Sequence, residues 1–436
     1  MNRFFQFKEL ETNYRRESLA GITTFLAMAY ILFVNPSILA DAGMNQEAVF
    51  TATGIAAAIG TLIMGLLAKY PIALAPGMGL NAYFAYTVVL GMEVQWELAM
   101  FGVFVSGVIF IIITSLGIRE KIINAIPAEL KHAAAAGIGL FIAFIGLQNA
   151  GIVTADESTL VALGNITNPP TLIACFGLIV TAVLMAMGYR GGVFYGMIIT
   201  ALAGIIVGII DLPTAIVQPV PSLAPTFGAA FTNLGGIEWS GQLIGQLLII
   251  VLTFLFVDFF DTAGTLYAVA NQAGFVKNNK LPRAGKALMA DSSATSIGAI
   301  LGTSTTTAYI ESSAGVAAGG RTGFAAVVTA GLFIVALFFS PLLAVVTDHV
   351  TAPALIIVGV LMASSLRLID WSKFEVALPA FLTVLAMPMT YSIATGIAFG
   401  FIFYPITMLV KGRTRDVHPI MYILFFVFLA YFFFLS

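Results

Sequence analysis

Apolar runs of about twenty residues follow one another along this chain with only short polar breaks between them, and each is long enough to cross a hydrocarbon layer as a helix. Of 436 residues, 60% are hydrophobic and 9% are charged. A soluble domain carries roughly 25% charged residues. One water-soluble globule cannot hide that much apolar surface, so lipid must cover the outside. The runs fall near 18–39, 47–69, 72–90, 97–117, 129–148, 170–188 and 191–210, then near 243–266, 284–301, 303–318, 322–347, 350–366, 374–389 and 391–411. A further run closes the chain near 419–435 and either crosses or lies against the bundle. The first run lacks a small-residue cleavage site and reads as a span, not a removable leader.

The basic residues give an independent check. With the N-terminus (1–17) taken as cytoplasmic, counting crossings puts all 19 Lys and Arg on the cytoplasmic side, from Arg3, Lys8, Arg15 and Arg16 through Lys69, Arg119, Lys121, Lys131, Arg190, Lys277, Lys280, Arg283 and Arg321 to Arg415. The opposite loops, 150–169 and 211–242, carry none. That bias is the positive-inside rule, and it supports the span count through residue 411 in a cell membrane. No basic block suggests nucleic acid. The lone Cys175 excludes an internal disulfide and cannot hold a metal cluster by itself. His132, His349 and His418 lie near span ends, so no metal site and no cofactor are expected.

Seven spans is an odd number, so a second seven that repeat the first must sit upside down. The expected fold is therefore all-α, with about fourteen spanning helices in two inverted halves: 18–210 and 243–411, joined by an extracytoplasmic linker, 211–242, and followed by a hydrophobic segment, 412–436. Thr24-Phe25-Leu26 recurs as Thr253-Phe254-Leu255, and Ile126-Pro127-Ala128 has an echo in Ala352-Pro353-Ala354 at nearly the same spacing. The third and tenth spans are irregular at matching places. The third holds Pro71, Pro76, Gly77 and Gly79 before Asn81; the tenth opens on Gly302 and the β-branched run Thr303 to Thr307 before Tyr309 and Glu311. Proline removes a backbone donor and glycine weakens a helix. Each span is predicted as a short extended piece leading into a half-helix, whose first amides, near Gly79 in the third span, face the membrane middle as donors. A kinked helix packed through small residues is the competing reading.

Asp258, Asp261, Asp291 and Glu311 fall well inside three consecutive spans. An ionised carboxylate at a helix centre costs about 2.5–3.5 kcal/mol on insertion scales, so these groups must face a polar cavity, pair with donors or take up protons. Asp258 and Asp261 are three apart and share a helix face with Thr262 and Thr265. A polar network that only fixes helix packing competes with a functional role, most of all for Asp291. Asn81 is either a ligand or a cap for the half-helix after it. No nucleotide-hydrolysing motif is present, and an intramembrane aspartyl protease would place its two acids on separate helices, so neither a pump nor an enzyme is expected.

Asp258-Phe-Phe-Asp261-Thr-Ala-Gly-Thr265 resembles the eighth span of the adenine–guanine–hypoxanthine permeases, members of the nucleobase–ascorbate transporter superfamily with the uracil-permease-like fold. Gly302-Thr-Ser-Thr-Thr-Thr-Ala-Tyr-Ile-Glu311-Ser-Ser-Ala-Gly315 resembles that family's tenth span, Ala75-Pro-Gly-Met-Gly-Leu-Asn81-Ala its third, and Gly21-Ile-Thr-Thr-Phe-Leu-Ala-Met-Ala-Tyr30 its first. The likeness covers essentially the whole chain. It implies a core domain of spans one to four and eight to eleven, a gate domain of the remainder, a homodimer, and proton-coupled import of guanine, hypoxanthine or adenine. It implies substrate carboxylates at Asp258 and Glu311, a binding or gating role for Asn81, and a supporting role for Asp261. Asp291 and Thr265 complete the expected proton network. Phe25, Tyr30 or Tyr309 are candidates to stack on a flat base. An anion transporter or channel on the same fold is the alternative; four acids with no intramembrane Lys or Arg argue against it.

Overall fold

The computed structural model describes residues 4–117, 126–232, 240–276 and 281–434. The basic residues Arg3, Arg119, Lys121, Lys277 and Lys280 lie outside the described residues, as do 233–239 of the linker. Helices dominate. Among the described residues eight of them, such as Trp96–Ser115 and Ala128–Asn149, are long and apolar enough to cross a membrane, and four shorter apolar ones accompany them.

The first predicted span is a pair, α1 (Tyr14–Met28) and α2 (Ile31–Asp41). At the junction the backbone tightens: Leu32 N–H bonds to Ala29 and Phe33 N–H to Tyr30, three residues back and not four. Next come α3 (Gln46–Ile63), strand β1 (Leu74–Pro76), the short α4 (Met78–Ala82) and α5 (Trp96–Ser115). From Tyr83 to Gly91, α4 runs on as a wide π-helix. Then follow α6 (Ala128–Asn149), a small hairpin of β2 (Val153–Asp156) and β3 (Leu160–Leu163), α7 (Pro169–Ala186), α8 (Gly192–Val207) and the one-turn α9 (Ala229–Thr232). The hairpin was not expected; it forms where Asp156 accepts from the amides of Ser158 and Thr159 and closes the turn. The second half opens with α10 (Gly241–Gln272), longer than the predicted 243–266, and α11 (Ala284–Leu301). Strand β4 (Thr306–Ala308), α12 (Ser312–Ala317), α13 (Gly323–Ala336), α14 (Asp348–Ala363), α15 (Phe374–Thr390) and α16 (Ile393–Val410) complete it. The closing run is helix α17 (Pro419–Phe434), packed on α16 through Phe428 and Phe401, with ring centres 5.5 Å apart.

Two bundles result. In one, α11 packs on α5 and α3, α13 packs on α1 and α3, and α10 leans on α5. In the other, α14 and α15 pack on α6, α7 pairs with α8, and α16 carries α17. Small residues let these helices approach closely, as helices do where lipid offers no hydrophobic drive. A Cβ on Gly359 would run into the Gly139 carbonyl, and one on Gly323 into that of Gly65. The division matches the expected core of spans one to four and eight to eleven and the expected gate of the rest. The bundles meet where α4 touches α6: Gly79 has no room for a side chain against Ile138.

Candidate functional site

The two irregular spans meet inside the first bundle. Strands β1 and β4 pair antiparallel, Leu74 opposite Ala308 and Pro76 opposite Thr306. Gly77 N–H to Thr305 (2.9 Å) and Tyr309 N–H to Ala73 (3.0 Å) extend the ladder at both ends. Two strands this short cannot satisfy all their own backbone groups, and neighbouring spans supply the rest. Thr61 Oγ1 on α3 both donates to the Leu74 carbonyl and accepts from its amide, each at 2.9 Å. Thr295 Oγ1 on α11 donates to the Thr306 carbonyl at 3.0 Å. In each half, then, a threonine of the preceding span clamps the first residue of the strand. Ser312 Oγ accepts from the Ala73 amide, and the Tyr309 hydroxyl donates to the Pro76 carbonyl.

The acids gather around this crossing. Helix α10 packs against β4, α4 and α12, which brings Asp258 and Asp261 beside both irregular spans. Asp258 and Asp291 are fully buried. The Thr262 hydroxyl lies between them, 2.8 Å from Asp291 Oδ1 and 3.2 Å from Asp258 Oδ1. Half-buried Asp261 accepts from Thr307 Oγ1 at 3.1 Å. Glu311, also half-buried, accepts from the hydroxyl of the fully buried Tyr30 at 2.5 Å. Thr265 lies one turn beyond Asp261 on α10, half-buried.

Asn81 is fully buried, and among the described residues neither atom of its carboxamide has a hydrogen-bond partner. It is not the cap of its helix: Gly77 holds that position and Asn81 lies inside α4. Leaving a buried amide unpaired costs about 1–3 kcal/mol per group, which fits a residue kept for a ligand and not for the fold. Phe25 packs edge-on against Phe333, with centres 5.3 Å apart, on the α1–α13 side of the bundle.

Some of these contacts had no signal in the sequence. The Tyr30–Glu311 bond joins residues 281 positions apart. Thr61 sits in an ordinary apolar span. Glu17, which falls in the N-terminal stretch 1–17 just before the first run, is fully buried and bound to the loop before α13. The Thr262 bridge was half legible, because a residue four positions after Asp258 shares its helix face.

A multi-pass bundle with two crossed, interrupted spans and carboxyl and carboxamide groups at the crossing defines a membrane transport protein. The chain matches the permease family model over residues 15–399 and belongs to that family. It is similar over its whole length to the guanine/hypoxanthine permease PbuG of Bacillus subtilis, at 62% identity covering 100% of each chain. It is 41% identical to the adenine permease AdeQ of Escherichia coli over 96% of this chain and 93% of that one. Among solved structures it resembles the transmembrane domain of a cyanobacterium bicarbonate transporter, BicA, with a TM-score of 0.66 over 89% of this chain and 97% of that chain. At 14% identity that likeness concerns the fold alone.

Proposed function

We propose that this permease imports purine nucleobases, guanine and hypoxanthine foremost and adenine among the possible cargoes, by proton symport with alternating access. The observation that carries the reading is the buried Asn81 carboxamide, without a hydrogen-bond partner among the described residues, on the short helix α4 that the acid-bearing α10 touches. A purine base is flat and neutral, with N–H donors and carbonyl or ring-nitrogen acceptors alternating along its edge. Asn81 offers an N–H₂ donor group and a carbonyl acceptor, and Asp258 and Glu311 accept from ring N–H groups. The names of the relatives over the full chain support the same cargo. Gly79 lets the half-helix carrying Asn81 approach α6, and Tyr309 or Phe25 supplies a ring face.

In this reading the same acids handle the proton. One hydroxyl proton, that of Thr262, cannot be given to Asp258 and Asp291 together. An added proton on either acid lets the three groups bond in sequence. Asp261, held by Thr307, and Glu311, held by Tyr30, complete the proton-handling set with Thr265 beside them. Base and proton bind together, the first bundle shifts against the second, and both leave on the cytoplasmic side. The N-terminus faces the cytoplasm in this reading, the halves are inverted repeats, 18–210 and 243–411, and the protein works as a homodimer in the cell membrane. An anion cargo, as in the names of the solved neighbours, suits the site poorly: four acids gather there, and the hydroxyls of Thr262, Thr307 and Tyr30 that bond to them carry no charge.

Thermal-shift binding on detergent-purified protein tests this. Hypoxanthine and guanine are expected to stabilise the wild type, uracil and bicarbonate are not, and the Asp258→Asn variant should lose the effect. Stabilisation by bicarbonate, with none by any purine at high concentration, would replace the purine reading with the anion one.

A further inference from the structure

Glu17 is a carboxylate buried at the very start of α1, away from the acids of the site. Burying such a charge is costly unless its oxygens are fully bonded. Here they are. One oxygen accepts from Thr12 Oγ1 at 2.8 Å and from the Arg321 amide at 2.9 Å. The other accepts from Thr322 Oγ1 at 2.8 Å and from the Thr322 amide at 3.2 Å. Thr322 is the cap of α13, so Glu17 ties the foot of α1 to the turn between α12 and α13.

Tyr30 follows just after the last turn of α1, and Glu311 stands just before α12, at the other end of the segment that closes on Thr322. Between foot and tip the two segments are pressed together without slack. A Cβ on Gly315 would run into Thr24 Oγ1, and one on Gly320 would lie 2.9 Å from Ala20 Cβ. Gly319 adopts φ +107° against the Arg16 side chain, a conformation that other residues rarely take. Helix α1 therefore lies along the 311–322 segment as one plate. The Glu17 bonds fix one end of it, and the Tyr30–Glu311 bond lies at the other.

We infer that Glu17 is a positioning residue. It sets the register of α1 on the 311–322 segment so that the Tyr30 hydroxyl reaches Glu311. This rests on the proposed role of Glu311 in binding the cargo. Glu17→Gln replaces one acceptor with an N–H₂ group facing backbone amides, so the plate loses its register while the side chain keeps its size.

Two measurements test it. The first is hypoxanthine uptake by Glu17→Gln, Tyr30→Phe and the double variant, normalised to surface amount. Glu17→Gln should raise KM roughly tenfold at retained surface amount, and in the Tyr30→Phe background it should add almost nothing, because both act through one bond. Effects that multiply, or a lower surface amount at unchanged KM, would overturn the assignment. The milder Thr12→Ala, which removes one donor, should shift KM in the same direction even if Glu17→Gln folds poorly. The second measurement needs no cargo. Amide exchange in ligand-free Glu17→Gln should quicken across residues 27–33 as well as at 321–322. Faster exchange at 321–322 alone would overturn the inference. Wild type that exchanges as expected yet takes up no purine would count against the purine reading alone.

Discussion

Strand β1 reads Leu74-Ala75-Pro76, and β4, its antiparallel partner, reads Thr306-Thr307-Ala308. Both are wholly buried, both lead into a short helix, and both are clamped at their first residue by a threonine of the span before. Their chemistry differs. The side chains of β1 are apolar, and the short helix after it carries the uncharged amide of Asn81. Around β4 lie Asp261, bonded to Thr307, and Glu311, bonded to Tyr30. The helices differ too: α4 runs on as a π-helix to Gly91, whereas α12 stops at Ala317. The pair shows a shared backbone frame with ionisable chemistry on one side of it. Damage near β4 should therefore cost protonation and binding together, and damage near β1 should cost binding or the frame alone.

The largest expected effect follows on the β4 side. Glu311→Gln and Asp258→Asn each remove a charge-assisted acceptor, and proton-driven hypoxanthine uptake should fall roughly a hundredfold at normal surface amount. The sharper reading comes from exchange of labelled for unlabelled base at equal concentration on both sides. If one of the two variants keeps exchange and loses only accumulation, that acid handles the proton and not the base. Wild-type uptake by either variant would remove that acid from the site.

How much of this was visible beforehand depends on the range of the interaction. The spans, the membrane setting and the interrupted third and tenth segments follow from local composition, because lipid forces apolar runs into helices and Pro76, Gly77 and the Thr303–Thr307 run disfavour them. The acids stood out because a charge inside an apolar run is costly. Other features needed the folded chain. Thr61 and Thr295 look like small polar residues tolerated anywhere in a span, and only the crossing of β1 and β4 gives them their task. Tyr30 read as one ring among several, since nothing near it in sequence shows that its hydroxyl ends on Glu311. The capping reading of Asn81 failed because the helix starts four residues earlier than a cap at that position requires, at Met78.

On the β1 side, Asn81→Ala should separate binding from stability. Its carboxamide is buried without a partner among the described residues, so removing it relieves an unpaired donor and acceptor. The ligand-free variant is expected to melt at or above the wild-type temperature, while hypoxanthine binding weakens roughly tenfold. Asn81→Asp should bind more weakly still, since it exchanges the donor for a further acid in a site already rich in them. A variant that melts lower and binds normally would make Asn81 a packing residue, and the contrast between the two sides would then rest on β4 alone.

The smallest effect concerns the clamps, where the two halves are most alike. Valine is nearly the shape of threonine, so Thr61→Val and Thr295→Val each delete hydrogen bonds at little cost in packing. Thr61 makes two bonds to Leu74, and Thr295 makes one to the Thr306 carbonyl. Each lost bond is worth about 1 kcal/mol, and the Leu74 amide and carbonyl would both be left buried and unpaired. Thr61→Val should therefore lower the melting temperature more than Thr295→Val, with uptake per folded molecule close to wild type for both. An equal loss would mean that the strand pairing itself holds Leu74. A larger loss in Thr295→Val would mean that the frame depends chiefly on the acid-bearing half, and the two strands would then differ in support as well as in chemistry.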